Sequence, residues 1–495
     1  MRLQNALLVR ATLLIALATP AHVARSQDAA TLARIRDEGM NRSRALELFN
    51  HLTNVIGPRL AGSPADKQAA DWAAGKLREY GLSNVHLEPF PFGKGWTLEK
   101  QTFEMIAPRY MPLIGYAEGW SPSTSGEITG KPVYIGDLEN ADAVRAIASS
   151  LRGKIVLATK PQEFFITEDR LQPTEHDAPV RIGAPRAQNA TGPLARNTLQ
   201  SMMHGAGAAA VLRPTEGNEG TMFVLGSRAS TAENSVASLI VSSEQYNMLV
   251  RGLQAGSDIT LKLNVQTKYH TADTSSYNVI AEIPGTDPLI GDEVVLLGAH
   301  IDSWHSATGA TDNADAVAEL IEAMRILKAS GVRPRRTIRA ALWGAEELGL
   351  LGARAYAQQH LAGDANAAAR AKFSVYLNND PGTGPIYGWY SEGNEAAKKI
   401  FDGWLAPLQD IGTRRNIIEK ITNTDHLAFS ALGLPAFNTI QDYTEYDVRA
   451  HHTNMDTFER VPLEALKQAS VVLATFAYQA AMREGSFPRA APTTP

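Results

Sequence analysis

The chain has 495 residues, 44% of them hydrophobic, which is too long for one ordinary domain and apolar enough to bury a sizeable core. Its 47 basic and 52 acidic residues give a net charge of -5 and a pI near 6.2, so the basic footprint of a nucleic-acid binder is excluded. The sequence contains no cysteine, which excludes disulfides, a thiol nucleophile, a lipid-anchored bacterial N-terminus and thiolate metal sites; any metal must take nitrogen and oxygen ligands.

In chain order, "MRLQNALLVR" gives a basic start, "ATLLIALATP" a short apolar run, and Ala24-Arg25-Ser26 a small-x-small cleavage site. This predicts a signal peptide over 1–26 and an exported protein, periplasmic or secreted, with no membrane anchor, because the run is too short to span a bilayer. "SPADKQAADWAAGKLREYG" predicts a helix capped by Ser63, opened by Pro64, stopped at Gly81, and buried along Ala70, Ala73, Ala74 and Leu77. From 119 to 269 short apolar strands alternate with turns ("KPVYIGD", "GKIVLAT", "GAAAVLRP", "SLIVSSE", "ITLKLNVQT"), which reads as a β-rich insert. "GAGAAA" (205–210) matches the loosest dinucleotide fingerprint but follows a helical run and precedes a strand, so it is read as a helix stop.

Beyond the insert, "EVVLLGA" (293–299), "RTIRAALWGA" (336–345), "KFSVYLN" (372–378) and "LPAFNTI" (434–440) predict buried strands. A helix between the first two buries Val317, Leu320, Ile321, Met324 and Leu327 and ends near Gly331. Strand, helix, strand implies a parallel sheet, and the fold class is α/β, doubly wound and mostly parallel with helices on both faces, plus the insert. The expected limits are a catalytic domain over 27–118 and 270–485, the insert over 119–269, and a disordered tail over 486–495.

His300, Glu346, Glu347, Asp380 and His452 each follow the carboxyl end of one of these strands, where the loops of open α/β sheets converge on a crevice; Asp312 precedes the intervening helix. Imidazole and carboxylate ligands without thiolate suit zinc, and one shared carboxylate suits a pair of ions. Asp312 is the natural bridge, and Asp302 could accept the second ring hydrogen of His300.

"GAHIDSW", "GATDN", "LWGAEELGLLGA", "NNDPGTG", "TDHLAF" and "HHTNMDT" resemble, in order, the motifs of the co-catalytic zinc exopeptidases, the aminopeptidase and glutamate carboxypeptidase superfamily. That resemblance implies two zinc ions per chain: His300 and Asp380 on one, Glu347 and His452 on the other, and Asp312 shared. It makes Glu346 the general base for a water bridging the ions, and the insert a protease-associated domain. It further implies small peptides or dipeptides as substrates, a homodimer, and a cis peptide bond at Asp312-Asn313. The expected activity is that of a carboxypeptidase or dipeptidase, with an aminopeptidase as the alternative; a single-zinc glutaminyl cyclase or a non-catalytic binding relative fits less well. His451 and Asp315 are candidates for substrate or oxyanion contact, Asp425 supports the ligands from behind, and Arg449 and Glu445 are further candidates for gripping a peptide terminus. Asp315 has a second reading as an acid in the first turn of a helix. His305 has no partner in the pattern and is read as surface.

Overall fold

The computed structural model describes residues 20–171, 192–380 and 382–489. Most of the expected signal peptide lies outside the described residues; its end, from Pro20, runs into a first helix, α1 (Pro20–Asn41). No helix among the described residues is long and apolar enough to cross a membrane.

The predicted strands form the centre of a seven-stranded sheet. Its members are β1 (Ser83–Pro91), β2 (Ser275–Ile283), β3 (Val294–His300), β4 (Thr337–Trp343), β5 (Phe373–Asn378), β6 (Gly388–Tyr390) and β7 (Ala436–Ile440). Their spatial order is β1-β2-β4-β3-β5-β7-β6. The neighbours from β4 to β7 pair in parallel, whereas β1, β2 and β6 run antiparallel at the edges. The sheet is thus parallel at its centre only.

Alternation sends the two faces of each central strand into different cores. Val295, Leu297 and Ala299 face α1, α2 (Pro64–Glu79), α3 (Asp315–Ala329) and the long helix near the C-terminus, whereas Leu296 faces the cluster of Trp343, Tyr356, Tyr376 and Phe429. Each fully buried aliphatic side chain contributes about 1.5–3 kcal/mol. Gly298 lets two large side chains close over β3: a Cβ there would lie 2.1 Å from the Tyr376 hydroxyl and 2.7 Å from the Trp343 indole nitrogen, groups that hydrogen bond at 2.6 Å.

Helix α2 begins as expected, with Ser63 Oγ accepting from the Asp66 amide and Ala70, Ala73, Ala74 and Leu77 buried. In α3 burial goes beyond the expected stripe and takes in Asp315, Glu319, Glu322 and Arg325. A helix buried all round must satisfy its charges internally, and Arg325 pairs with Glu322 and with Glu38 of α1, each at 2.7 Å.

Between β1 and β2 the chain makes a long excursion. Strand Gly95–Ala107 pairs antiparallel with Thr260–His270 as a ribbon, so that the expected limits at 119 and 269 fall across a continuous structure. Within the excursion a second sheet carries parallel strands Pro132–Tyr134, Ile155–Leu157, Ala210–Pro214 and Ala237–Val241, with Gly115–Ala117 antiparallel at one edge. The region is mixed α/β rather than β-rich, because Arg196–Ala206 and Ser243–Gln254 are amphipathic helices that bury Leu199 and Met203, and Tyr246, Leu249 and Val250. Gly207, in the left-handed region at φ 70°, stops the first of these helices as read from "GAGAAA". The beginning of the expected tail is packed: Phe487 is buried against Phe401 and Phe437, and the Pro488 carbonyl accepts from Asn394, while residues 490–495 lie outside the described residues.

Candidate metal centre

Each parallel strand delivers at least one side chain to the same edge. His300 ends β3, Glu346 and Glu347 follow β4, Asp380 follows β5, and His452 lies on the long loop after β7. Asp312 enters from the turn before α3, and the Asp312-Asn313 bond is cis, as expected. Ala345 (φ 56°) and His452 (φ 61°) occupy the left-handed region, which non-glycine residues hold only where the surroundings enforce it.

The groups converge. His300 Nε2 lies 3.1 Å from Asp312 Oδ1 and 3.7 Å from Asp380 Oδ1; His452 Nε2 lies 3.3 Å from Asp312 Oδ2 and 2.9 Å from Glu347 Oε2. Asp312 therefore turns one oxygen to each histidine. The ligand atoms of His300, Asp312 and Asp380 all fall within 4.8 Å of one another, as do those of Asp312, His451 and His452.

The chemistry of this donor set calls for a cation. His300 Nδ1 is 3.1 Å from the carbonyl oxygen of Asp302, which can only accept, so Nδ1 carries the hydrogen and Nε2 offers a lone pair toward carboxylate oxygens. Lone pairs facing one another in a buried site need a proton or a metal between them, and neither His300 Nε2 nor Glu347 Oε1 has a hydrogen-bond partner among the described residues. Without metal the histidines take up protons: burial opposes it, but the neighbouring carboxylates raise His300 well above the usual range and His452 to about 9. Nitrogen and oxygen donors of this kind suit zinc.

Asp302 differs slightly from expectation. Its carboxylate Oδ1 is 3.6 Å from His300 Nδ1, farther than its own backbone carbonyl, and instead accepts from the Glu346 amide at 3.0 Å. One residue thus orients both His300 and the backbone of Glu346. Burial is the main cause that pushes Glu346 well above the usual carboxylate range, with Asp380, Asp425 and Glu347 adding to it. Asp425 is fully buried behind the site, is itself raised by burial, and makes no hydrogen bond through its carboxylate among the described residues. His451 lies beside its neighbour, with ring centroids 3.8 Å apart.

Three expectations are corrected. Asp315 is only 1% exposed, with Oδ1 accepting from the Ala316 amide; it stands as an acid at a helix start and is not among the residues lining the cleft. Arg449 donates to Asn218, Thr221 and Glu219, and Glu445 pairs with Arg460, so neither is held toward the cleft. His305 is half-buried, with Nε2 2.7 Å from the Ala117 carbonyl and its ring edge-on to Trp96, because it packs the excursion against the main sheet.

Several further residues shape the site. Arg59 is fully buried and donates to the carbonyls of Ile301, Gly57, Thr308 and Gly309 at 2.8–3.0 Å, which fixes the loop between His300 and Asp312. Asp456 Oδ1 accepts from the amide and hydroxyl of Thr311. Trp304 lines the cleft with Gly309, Asp312, Glu347, His452 and Asp456. The Tyr446 hydroxyl is buried, without a hydrogen-bond partner among the described residues, and is held far above its usual range by burial and by Asp312 and Asp380. From the excursion, the Val224 amide donates to the His452 carbonyl at 3.0 Å and the Asn454 amide to the Met222 carbonyl at 3.1 Å, so two strand-like segments brace the His452 loop.

The parallel-centred sheet with a buried His and carboxylate cluster at its carboxyl edge defines a zinc metallopeptidase, and residues 278–477 match the model of peptidase family M28. Among characterised relatives, carboxypeptidase Q of Homo sapiens is 27% identical over 452 residues, covering 91% of this chain and 88% of that protein. A peptidase M28 precursor from Shewanella amazonensis SB2B superposes with a TM-score of 0.71 at 26% identity, covering 94% of this chain and all of the other. A zinc aminopeptidase from Bacillus subtilis shares the fold, with a TM-score of 0.59 at 20% identity over 89% of this chain and 95% of its own.

Proposed function

We propose that the chain is an exported exopeptidase acting on small peptides with two zinc ions, one held by His300 and Asp380, the other by Glu347 and His452, and both by Asp312. The observation that carries this reading is the two-sided placement of Asp312, whose separate oxygens lie 3.1 Å and 3.3 Å from the Nε2 atoms of two histidines on different loops. Zinc in such a site supplies Lewis acidity, making water acidic near neutral pH and polarising a carbonyl.

The residues do the rest. Glu346 accepts the proton of the attacking water and returns it to the leaving amine; burial makes it a stronger proton acceptor than an exposed glutamate. Asp302 fixes its backbone, and the tie of its neighbour Glu347 to His452 keeps the turn from rotating away. His451 and the Tyr446 hydroxyl are positioned to donate to an oxyanion. The excursion between β1 and β2 serves as a protease-associated domain that braces the site, and the active species is a homodimer, which sedimentation measures directly.

The likeness to carboxypeptidase Q favours release of residues from the carboxyl end of small peptides. A second reading, release from the amino end, is favoured by the described lining of the cleft, which has no lysine or arginine to grip a terminal carboxylate. Zinc titration of purified protein, followed by hydrolysis of dipeptides blocked at either terminus, tests both. Two ions per chain with cleavage of amine-blocked substrates supports the carboxypeptidase; loss of cleavage only on amine blocking supports the aminopeptidase; absence of zinc binding overturns both.

A further inference from the structure

The loop that carries His452 is held partly by its own turn, in which the His451 amide donates to the Tyr446 carbonyl at 2.7 Å, and partly from outside. It starts at Glu445 (φ 57°), makes one wide turn over Tyr446–Ala450 and ends at His452 (φ 61°), so the backbone is in the left-handed region on either side of the turn. Its outer face meets a segment more than 270 residues earlier in the chain. Asp169 accepts from the amides of Glu445 and Val448 at 2.8 Å and 3.0 Å. Arg170, with its side chain 5% exposed, grips Asp447, 1% exposed: its Nη2 is 2.6 Å from Oδ1, its Nε 2.9 Å from Oδ2, and its own amide 2.8 Å from Oδ2.

The guanidinium also lies over aromatic faces, 4.8 Å from the centroid of Tyr443 and 5.3 Å from that of Tyr446. Tyr446 in turn stacks on His451 at 5.2 Å, and His451 on His452 at 3.8 Å. A continuous column thus runs from Arg170 through two rings to the imidazole that faces Glu347 and Asp312.

Resting on the two-zinc reading above, we propose that Arg170 is a positioning residue for the His452 half of the metal centre, acting through Asp447, Tyr446 and His451. A planar, permanently charged fork suits this task, because it satisfies both carboxylate oxygens of Asp447 while its faces pack on tyrosine rings. The His300 half has holds of its own, the Asp302 carbonyl on His300 and the Arg59 contacts to the following loop, and shares Asp312 with the His452 half. The inserted excursion would therefore act more strongly on the His452 position than on the His300 position.

Replacing Arg170 alone would leave the buried Asp447 carboxylate unpaired, a change that can unfold a protein. The test therefore uses the full chain with both partners neutralised, Arg170→Met with Asp447→Asn, beside the wild type. Zinc per chain and the affinity of each site are measured by competition with a chelator, together with the unfolding temperature of the zinc-free protein and the separate kcat and KM. The expected result is one site weakened at least tenfold, the other weakened less, a zinc-free unfolding temperature close to that of the wild type, and a fall mainly in kcat. Two sites of unchanged affinity, or equal weakening of both, overturns the role of Arg170. A wild-type protein that binds no zinc overturns the metallopeptidase reading and this inference with it.

Discussion

Glu346 and Glu347 are neighbours in sequence and face different partners. Glu347 meets His452 at 2.9 Å, whereas Glu346 is anchored through its backbone and keeps its carboxylate near Asp380 and Asp425. Glu346→Gln is expected to lower kcat by about 100- to 10,000-fold, the range for loss of a general base, and to leave zinc content close to that of the wild type. Steady-state kinetics beside elemental analysis checks both halves. Arg59 makes a different prediction. Its guanidinium is shielded from water and satisfied by carbonyls of the loop between two ligands, so Arg59→Met should cost about 3 kcal/mol or more in denaturant unfolding, through orphaned carbonyls rather than lost packing.

At the scale of single elements, the first turn of α2 carries a pH dependence. Asp66 is buried, accepts from the Gly62 amide and the Ser276 hydroxyl, and is raised to about 7, by burial first and by Asp302 second. The folded chain therefore holds a proton that the unfolded chain, with an aspartate near 3.8, releases. Stability from this group is complete below about pH 4, falls as pH rises toward 7, and is level above that, with an upper bound on the order of 4 kcal/mol. Asp66→Asn should flatten the unfolding free energy across that window, as measured by chemical denaturation at several pH values.

The strands and α2 were legible because their signals are local: short continuous apolar runs, a serine cap, a proline at the first turn. The ligands were legible because each lies just past a readable strand. Arg59, Tyr446 and Arg170 were not, since their roles depend on partners hundreds of residues away or on a neighbouring loop that no periodicity describes. Asp315 was misjudged for a related reason: its place in the first turn of α3 could be read from sequence, but the packing of that helix on every side could not. In the excursion the helix before Gly207 was legible from its glycine stop, whereas the helix over Ser243–Gln254 was not read between the short strands that flank it.

For the molecule as a whole, the metal centre ties together loops from all four parallel strands and from the excursion, so metal binding is folding energy. Removal of zinc by a chelator should lower the unfolding temperature, and zinc at 100 to 1,000 times its dissociation constant should restore about 2.7–4.1 kcal/mol. Thermal unfolding with and without added zinc measures it. Acidification should have the same effect as the chelator, because protonation of His300 and His452 competes with the metal.

The ribbon has an evolutionary corollary. Ala107 and Thr260 are paired residues on adjacent strands, so everything from 108 to 259 leaves and rejoins the chain at nearly one point. A tight turn joining the two would shorten the polypeptide without severing any strand of the main sheet, and a stretch of that kind can be acquired or shed as the tip of a hairpin. A trimmed descendant would keep the strand ends that carry the ligands and lose the Arg170 and Val224 contacts to the loop of the second histidine, so that loop would need a support from elsewhere.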